Sequence, residues 1–172
     1  PDDRPVLSEN LPVKASSPRL VVNAMAASAE TARGVTAYGA SPEAESEVLN
    51  LHEKIVEGSW FESPYSREVV IGQKLANRLQ IGVRSKLVLR FQDVEGTLTG
   101  GAFRVAGIFQ TNNTAFDGAH VWVQKEKLAE LIGTSPDACH SMVVRLNSSD
   151  QSEEVAEQLE NQLSEAEVLS WK

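Results

Sequence analysis

The sequence is short of cysteine, of aromatic side chains, of long apolar runs and of positive charge. A single thiol, Cys139, permits no internal disulfide. With no second cysteine there is no cysteine-based zinc site either, since structural zinc takes four Cys or His ligands. The longest apolar stretches are Val69-Val70-Ile71 and Val105-Ala106-Gly107-Ile108-Phe109. Both fall far below the roughly 18 to 20 residues that cross a bilayer, which excludes a membrane-spanning helix within these residues. Sixteen Lys and Arg face twenty-four Asp and Glu, a net charge of −8, and that excludes a nucleic-acid partner, whose phosphates call for a basic surface.

What remains is a globular composition, 41% hydrophobic and 23% charged over 172 residues. That length serves one domain, or two small lobes sharing a core. The chain starts at Pro1 with no charged and apolar leader behind it, which suggests a piece cut from something longer. The acidity is local. From Ser148 onward there are seven acids and one base, while residues 67 to 90 carry six bases against Glu68 alone. Such runs are read as solvated faces, with steering of a partner as the lesser alternative.

Pro1 to Pro12 reads as an irregular arm. Val13, Ala15, Leu20, Val22, Ala24 and Ala26 then read as one alternating strand, and Arg33 to Gly39 as its neighbour across a turn near Ala29 to Thr31. Ser41 followed by Pro42, Glu43, Glu45 and Glu47 predicts a capped helix that ends near Asn50 or His52. A buried strand, Val69 to Gly72, runs into a helix, Gln73 to Gln80. Lys86 to Phe91 and Leu98 to Phe109 are paired strands around a turn at Asp93-Val94-Glu95-Gly96, and Gly100-Gly101 predicts a bulge or bend. After a polar turn over Thr111 to Thr114 come a strand (Ala119 to Val123), a helix (Lys125 to Ile132), a strand (Ser141 to Leu146), a helix (Gln151 to Leu163) and a strand (Glu167 to Ser170). Asp150 with Glu153 has capping-box spacing.

Searches for chemistry come back empty. His52-Glu53 begins like a zinc-protease helix, but Val56 stands where the second histidine belongs. Cys139 and His140 are adjacent, so on a strand they point to opposite faces and make a poor nucleophile–base pair. No nucleophile elbow, phosphate loop, dinucleotide fingerprint or calcium loop is present. The reading is therefore a non-enzyme with no cofactor and no metal. The large aromatics Trp60, Phe61, Phe116 and Trp122 sit in or beside loops, and read either as core or as an interface.

The order of segments carries a resemblance. Val69-Val70-Ile71-Gly72-Gln73-Lys74-Leu75-Ala76-Asn77-Arg78-Leu79, then Lys86-Leu87-Val88-Leu89, then Phe103-Arg104-Val105-Ala106-Gly107-Ile108-Phe109 resemble the extracytoplasmic core domain of ABC-transporter permeases of the MacB/LolC/FtsX type. Gly39 to Glu45 and Ile55 to Phe61 resemble two upstream steps of that family, and Ala119 to Ile132 the strand and helix downstream. The chain departs from the pattern in having Arg84-Ser85 for a common Gly-Asp and Ser41 for a usual Asp. Its hairpin at Asp93 to Thr97 is also shorter than the proline-bearing hook of lipoprotein-releasing members.

The resemblance implies an α+β, two-lobed fold: a porter-like α/β subdomain from residues 1–32 and 119–172, with a β-rich subdomain, 33–118, inserted. It implies a periplasmic domain of an inner-membrane permease that transmits ATP-driven movement to envelope substrates or partners, in lipoprotein release, efflux or cell-envelope remodelling. The implied partners are a cytoplasmic ATP-binding subunit, a second permease subunit, and a periplasmic or outer-membrane protein or lipoprotein. Asp93, Val94, Glu95 and Gly96 at the hairpin tip, with Trp60 and Phe61, are the candidate partner-binding residues. The alternative is a ligand-binding or adaptor module that shares only the topology, with an apolar pocket lined by Trp60, Phe61 and Trp122.

Overall fold

The computed structural model describes residues 11–63, 67–163 and 167–170. Strand β1 (Val13–Ala27) is long because two different sheets use it. Its buried positions are Ala15, Ser17 and Arg19, then Leu20, Ala24 and Ala26, so the inward parity changes from odd to even between Arg19 and Leu20. One alternation was expected and two are present. The pairing changes at the same place: β1 pairs β8 (Ser141–Leu146) along Val13 to Arg19, and β2 (Ala32–Ala40) from Leu20 onward, both antiparallel.

The second half of β1 belongs to a closed ring of six strands. Around the ring, β1 pairs β2, β2 pairs β7 (His120–Gln124), β7 pairs β4 (Glu68–Gly72), β4 pairs β6 (Leu98–Phe109), β6 pairs β5 (Lys86–Gln92), and β5 returns to β1. Closure removes the sheet edges that would otherwise invite association. A short strand, β3 (Ile55–Gly58), pairs Gly107 to Phe109 of β6, beyond the Leu98 to Arg104 stretch that pairs β5. β7, which the sequence groups with the chain ends beyond residue 118, hydrogen-bonds β2 and β4 inside the ring. Four of its five residues are buried, which requires neighbours on both sides.

Inward residues fill the ring: Leu20, Ala26, Val35, Ala37, Val69, Ile71, Leu87, Leu89, Phe103, Val105, Val121 and Val123 share one cluster. Helix α2 (Gln73–Leu79) adds Leu75 and Leu79 to it, and α4 (Lys125–Ile132) adds Leu128, Ala129 and Ile132. Burying each such side chain contributes about 1.5–3 kcal/mol. On the outside, Leu51, Val70, Phe109 and Trp122 form a second cluster with Tyr38, Trp60, Phe61 and Phe116. A third, Leu11 with Val155 and Leu159 of α5 (Ser152–Gln162), covers the β1–β8 ladder.

Local chemistry explains the remaining elements. Ser41 caps α1 (Pro42–Leu49), accepting the Ala44 N–H at 3.4 Å, and the helix stops at Asn50, whose φ of 54° is left-handed. His52 therefore sits in the following 3-10 turn and not at the end of α1. Asn113, in the expected polar turn, caps a short helix, α3 (Thr114–Ala119), by accepting the Phe116 N–H at 3.1 Å. The β5–β6 register runs unbroken through Gly100 and Gly101, so no bulge forms. A Cβ on Gly100 would lie 3.1 Å from the Arg90 Cα and closer still to the Leu89 carbonyl oxygen, so the glycine serves the close approach of the strands. Ahead of α5, Ser148 accepts the Asp150 N–H, in place of an Asp150–Glu153 box. Residues 167–170 are not a strand; Val168 instead packs on the Leu11 cluster.

Candidate partner-binding surface

The two candidate sets lie at opposite ends of α4. At its C-terminal end is the β5–β6 hairpin. Asp93 Oδ1 accepts the N–H groups of Glu95 (2.9 Å) and Thr97 (2.8 Å), and Gly96 supplies the positive φ of 81° that closes the turn. The Val94 N–H donates to the Ile132 carbonyl at 3.0 Å, which moors the tip to the last turn of α4. Val94 and Leu98 stay exposed, at 63% and 70%. The tip is thus a braced, apolar-studded protrusion.

At the N-terminal end of α4 lies the loop that carries Trp60 and Phe61. Its shape is set by a buried carboxylate. Glu68, 1% exposed, accepts the Glu62 N–H at 2.9 Å and takes Arg104 Nη2 at 3.4 Å. Gln124 Nε2 donates to the Ser63 carbonyl. The Trp60 indole N–H donates to the Pro42 carbonyl at 3.0 Å, so the loop is also tied to the start of α1. Phe61 meets Trp60 edge to face, with centroids 5.1 Å apart, and adopts a φ of 44°. A left-handed phenylalanine costs free energy that the surrounding bonds must offset, and such strain gathers at functional positions. Between this loop and α1 is an open cleft of about 250 Å³, walled by Pro42, Glu43 and Ser46 on one side and Trp60, Phe61 and Gln124 on the other.

Trp122 does not line that cleft. It lies beneath it, 1% exposed, with Tyr38 at 5.0 Å, Phe109 at 5.6 Å and Phe116 at 5.7 Å between centroids. Its indole N–H has no acceptor among the described residues. An unpaired buried donor forfeits about 1–3 kcal/mol. Trp122→Phe removes that donor along with part of the ring, so the two effects oppose each other. It is expected to shift stability by no more than about 1 kcal/mol, against about 3–5 for Trp122→Ala, as read from urea unfolding midpoints.

The remaining titratable candidates are structural. His120 stacks on Phe116 (4.5 Å) and Tyr38 (5.6 Å), with Nδ1 3.0 Å from the Phe116 carbonyl oxygen. Cys139 Sγ donates to the Ser141 carbonyl, while His140 Nδ1 accepts the Val21 N–H at 3.0 Å, so the two neighbours are engaged separately. No group of three or more His, Cys, Asp or Glu among the described residues could hold a metal ion. Sequence reasoning missed the buried polar groups: Ser17, Arg19 and Glu45 at the base of α1, Glu68 under the aromatic loop, and Asp117. Asp117 accepts the Thr111 hydroxyl at 2.6 Å and the Thr111 N–H at 2.9 Å. Their only signal in the sequence was a polar or charged residue at an inward position.

A closed ring that carries a helix-covered ladder on one shared strand defines an α+β domain, and no helix among the described residues is long and apolar enough to cross a membrane. Two solved structures share the fold. The extracellular domain of the noncanonic ABC-type transporter YknZ from Gram-positive bacteria is 17% identical with a TM-score of 0.61, over 91% of this chain and 80% of that one. The periplasmic region of MacB from Actinobacillus actinomycetemcomitans is 13% identical with a TM-score of 0.58, over 90% and 70%. No curated protein matches the chain. The family model of the MacB-like periplasmic core domain matches residues 1–162, and the chain belongs to that family. It is the extracytoplasmic domain of a MacB-like ABC transporter permease.

Proposed function

We propose that this domain transmits movement driven by cytoplasmic ATP hydrolysis to a protein partner in the cell envelope, without chemistry of its own. Membership of the MacB-like family supports this reading, in which the full permease works with a cytoplasmic ATP-binding subunit and a second permease subunit. The partner on the outer side would be a periplasmic or outer-membrane protein or a lipoprotein. In this reading the contact is made first by Trp60 and Phe61 and second by the braced tip, Asp93 to Gly96. The observation that carries it is Phe61, held at a φ of 44° beside an open cleft by bonds that converge on Glu68, Gln124 and Pro42. A loop with only a packing role has no need of that strain. The tip is too short for the hook of lipoprotein-releasing permeases, which favours efflux or envelope remodelling over handing a lipoprotein to a carrier.

The test uses the full-length permease in its membrane, with a photo-crosslinker at Phe61 or Val94 and identification of what is captured. Trp60→Ala with Phe61→Ala should lower capture at Val94 at least about tenfold, the effect expected if even one of the two aromatics anchors the interface. If both the double variant and a Val94→Asp tip leave every captured partner bound, neither set is the contact and the proposal fails.

A further inference from the structure

The apolar cluster under α5 shares no residue with the cluster inside the ring. Strand β1 runs through both, and the contacts that brace it between them are polar. Where its pairing passes from β8 to β2, Arg19 lays its guanidinium fork on Glu45 of α1. Nε donates to Oε1, Nη2 to Oε2 at 2.7 Å, and the Ser17 hydroxyl to Oε1 at 3.0 Å. The same guanidinium sits 5.0 Å over the Tyr38 ring of β2. From β8, Arg145 Nη1 donates to the Glu47 carbonyl at 3.0 Å and to Asn50 Oδ1 at 3.2 Å, at the far end of α1. His140, just before β8, receives the Val21 N–H. Helix α1 leaves the ring directly from β2, so it is a ring-borne strut gripped at both ends by the ladder.

We propose that this polar joint is the articulation of the domain, and that the Arg19–Glu45 pair latches the β8–α5 unit at one angle to the ring. A shared apolar core would set that angle by close packing; a bidentate charged fork sets it by direction and length, and so holds one geometry until it is opened. The continuous strand β1 keeps the two parts connected when the latch is open, and a neighbouring domain that favours one orientation can then move the equilibrium. The inference deepens the reading of the domain as a mechanical transmitter and rests on that reading only for its consequence in the permease.

The test measures the angle on the 172-residue chain by pulsed electron spin resonance, with Cys139→Ser removing the native thiol. One label pair spans the joint, at Gln92 and Gln158; a control pair lies within the ring, at Asn77 and Gln92. The parent should give one narrow distance for both pairs. Glu45→Gln should broaden the spanning distance at least about twofold or split it, with the control unchanged, as expected when a two-state element loses its bias. Arg19→Met with Glu45→Leu removes both charges and should broaden it likewise. If Glu45→Gln unfolds the chain, the double variant decides. A spanning distance as narrow as the parent's in a folded variant, with only a lower melting temperature, overturns the latch and leaves the pair a stabilising contact. Crosslinking at Phe61 tests the transmitter reading separately.

Discussion

Replacing Glu45 by Ala is expected to cost the domain about 3–5 kcal/mol, about a fifth or more of the roughly 5–15 kcal/mol that a domain commonly has. Arg19 is only 7% exposed, and Glu45 takes both arms of its fork together with the Ser17 hydroxyl. Removing the carboxylate leaves a guanidinium in a dry site with no counter-charge, because the Tyr38 face offsets only part of its desolvation. Two terms of opposite sign decide how the paired variant behaves. Taking both charges out of water is itself costly, so replacing the pair with apolar side chains of similar volume forfeits the attraction and the penalty together. Arg19→Met with Glu45→Leu should therefore recover most of the loss. The check is the denaturant midpoint at constant slope, which separates stability from a change in the unfolded state. A Glu45→Ala midpoint within about 1 kcal/mol of the parent would show that water reaches Arg19 and that the pair behaves as an exposed one.

How much of this was legible in the sequence depends on the kind of signal. The longer strands and helices were, because each leaves a period or a cap: Leu87, Leu89 and Phe91 alternate along β5, and the Ser41-Pro42 start marks α1, whereas the short β3 and α3 leave none and were missed. The closure of the ring was not, since nothing local to β7 says that β2 and β4 flank it. The shift of parity at Arg19 was present in the sequence but was read through as a single alternation, when it marks the handover between two pairing partners. A family departure also becomes intelligible. Arg84 stands where the family resemblance puts a glycine, and its φ of 72° is the left-handed conformation that glycine adopts without cost. Ser85 accepts the Gly82 N–H at 3.1 Å, a bond a carboxylate could make equally well. The Trp60–Phe61 step was recognisable, but not what shapes it, because Glu68 reads as an ordinary acid at a strand start until its burial is seen.

Gly72→Ala is expected to be the most damaging single methyl in the ring, at about 3 kcal/mol or more, and to prevent folding if the margin is small. The reason is not backbone freedom. Gly72 has φ −75° and ψ 152°, which alanine adopts readily, so on conformational grounds alone the change would stabilise by about 0.4–1 kcal/mol. The obstacle is the backbone of α3: a Cβ would lie 2.6 Å from the Asp117 Cα, 2.5 Å from its carbonyl carbon, and nearer still to the oxygen. A flexible side chain could swing away, but a helix backbone has to move as a unit. Asp117 is the residue least able to move, since its buried carboxylate holds the Thr111 hydroxyl and N–H and so fixes the turn that follows β6. Phe116, one residue earlier, packs on Phe109 and Trp122, so displacement of α3 would also loosen the outer aromatic cluster on which Trp60 and Phe61 rest. Gly34→Ala provides the contrast, because nothing lies within 4 Å of its Cβ position; it should leave the melting temperature unchanged or slightly raised. Thermal unfolding of the two variants side by side gives the answer. If Gly72→Ala melts with the parent, the contact between β4 and α3 is looser than drawn, and the aromatic loop then lacks the rigid floor on which its role as a contact depends.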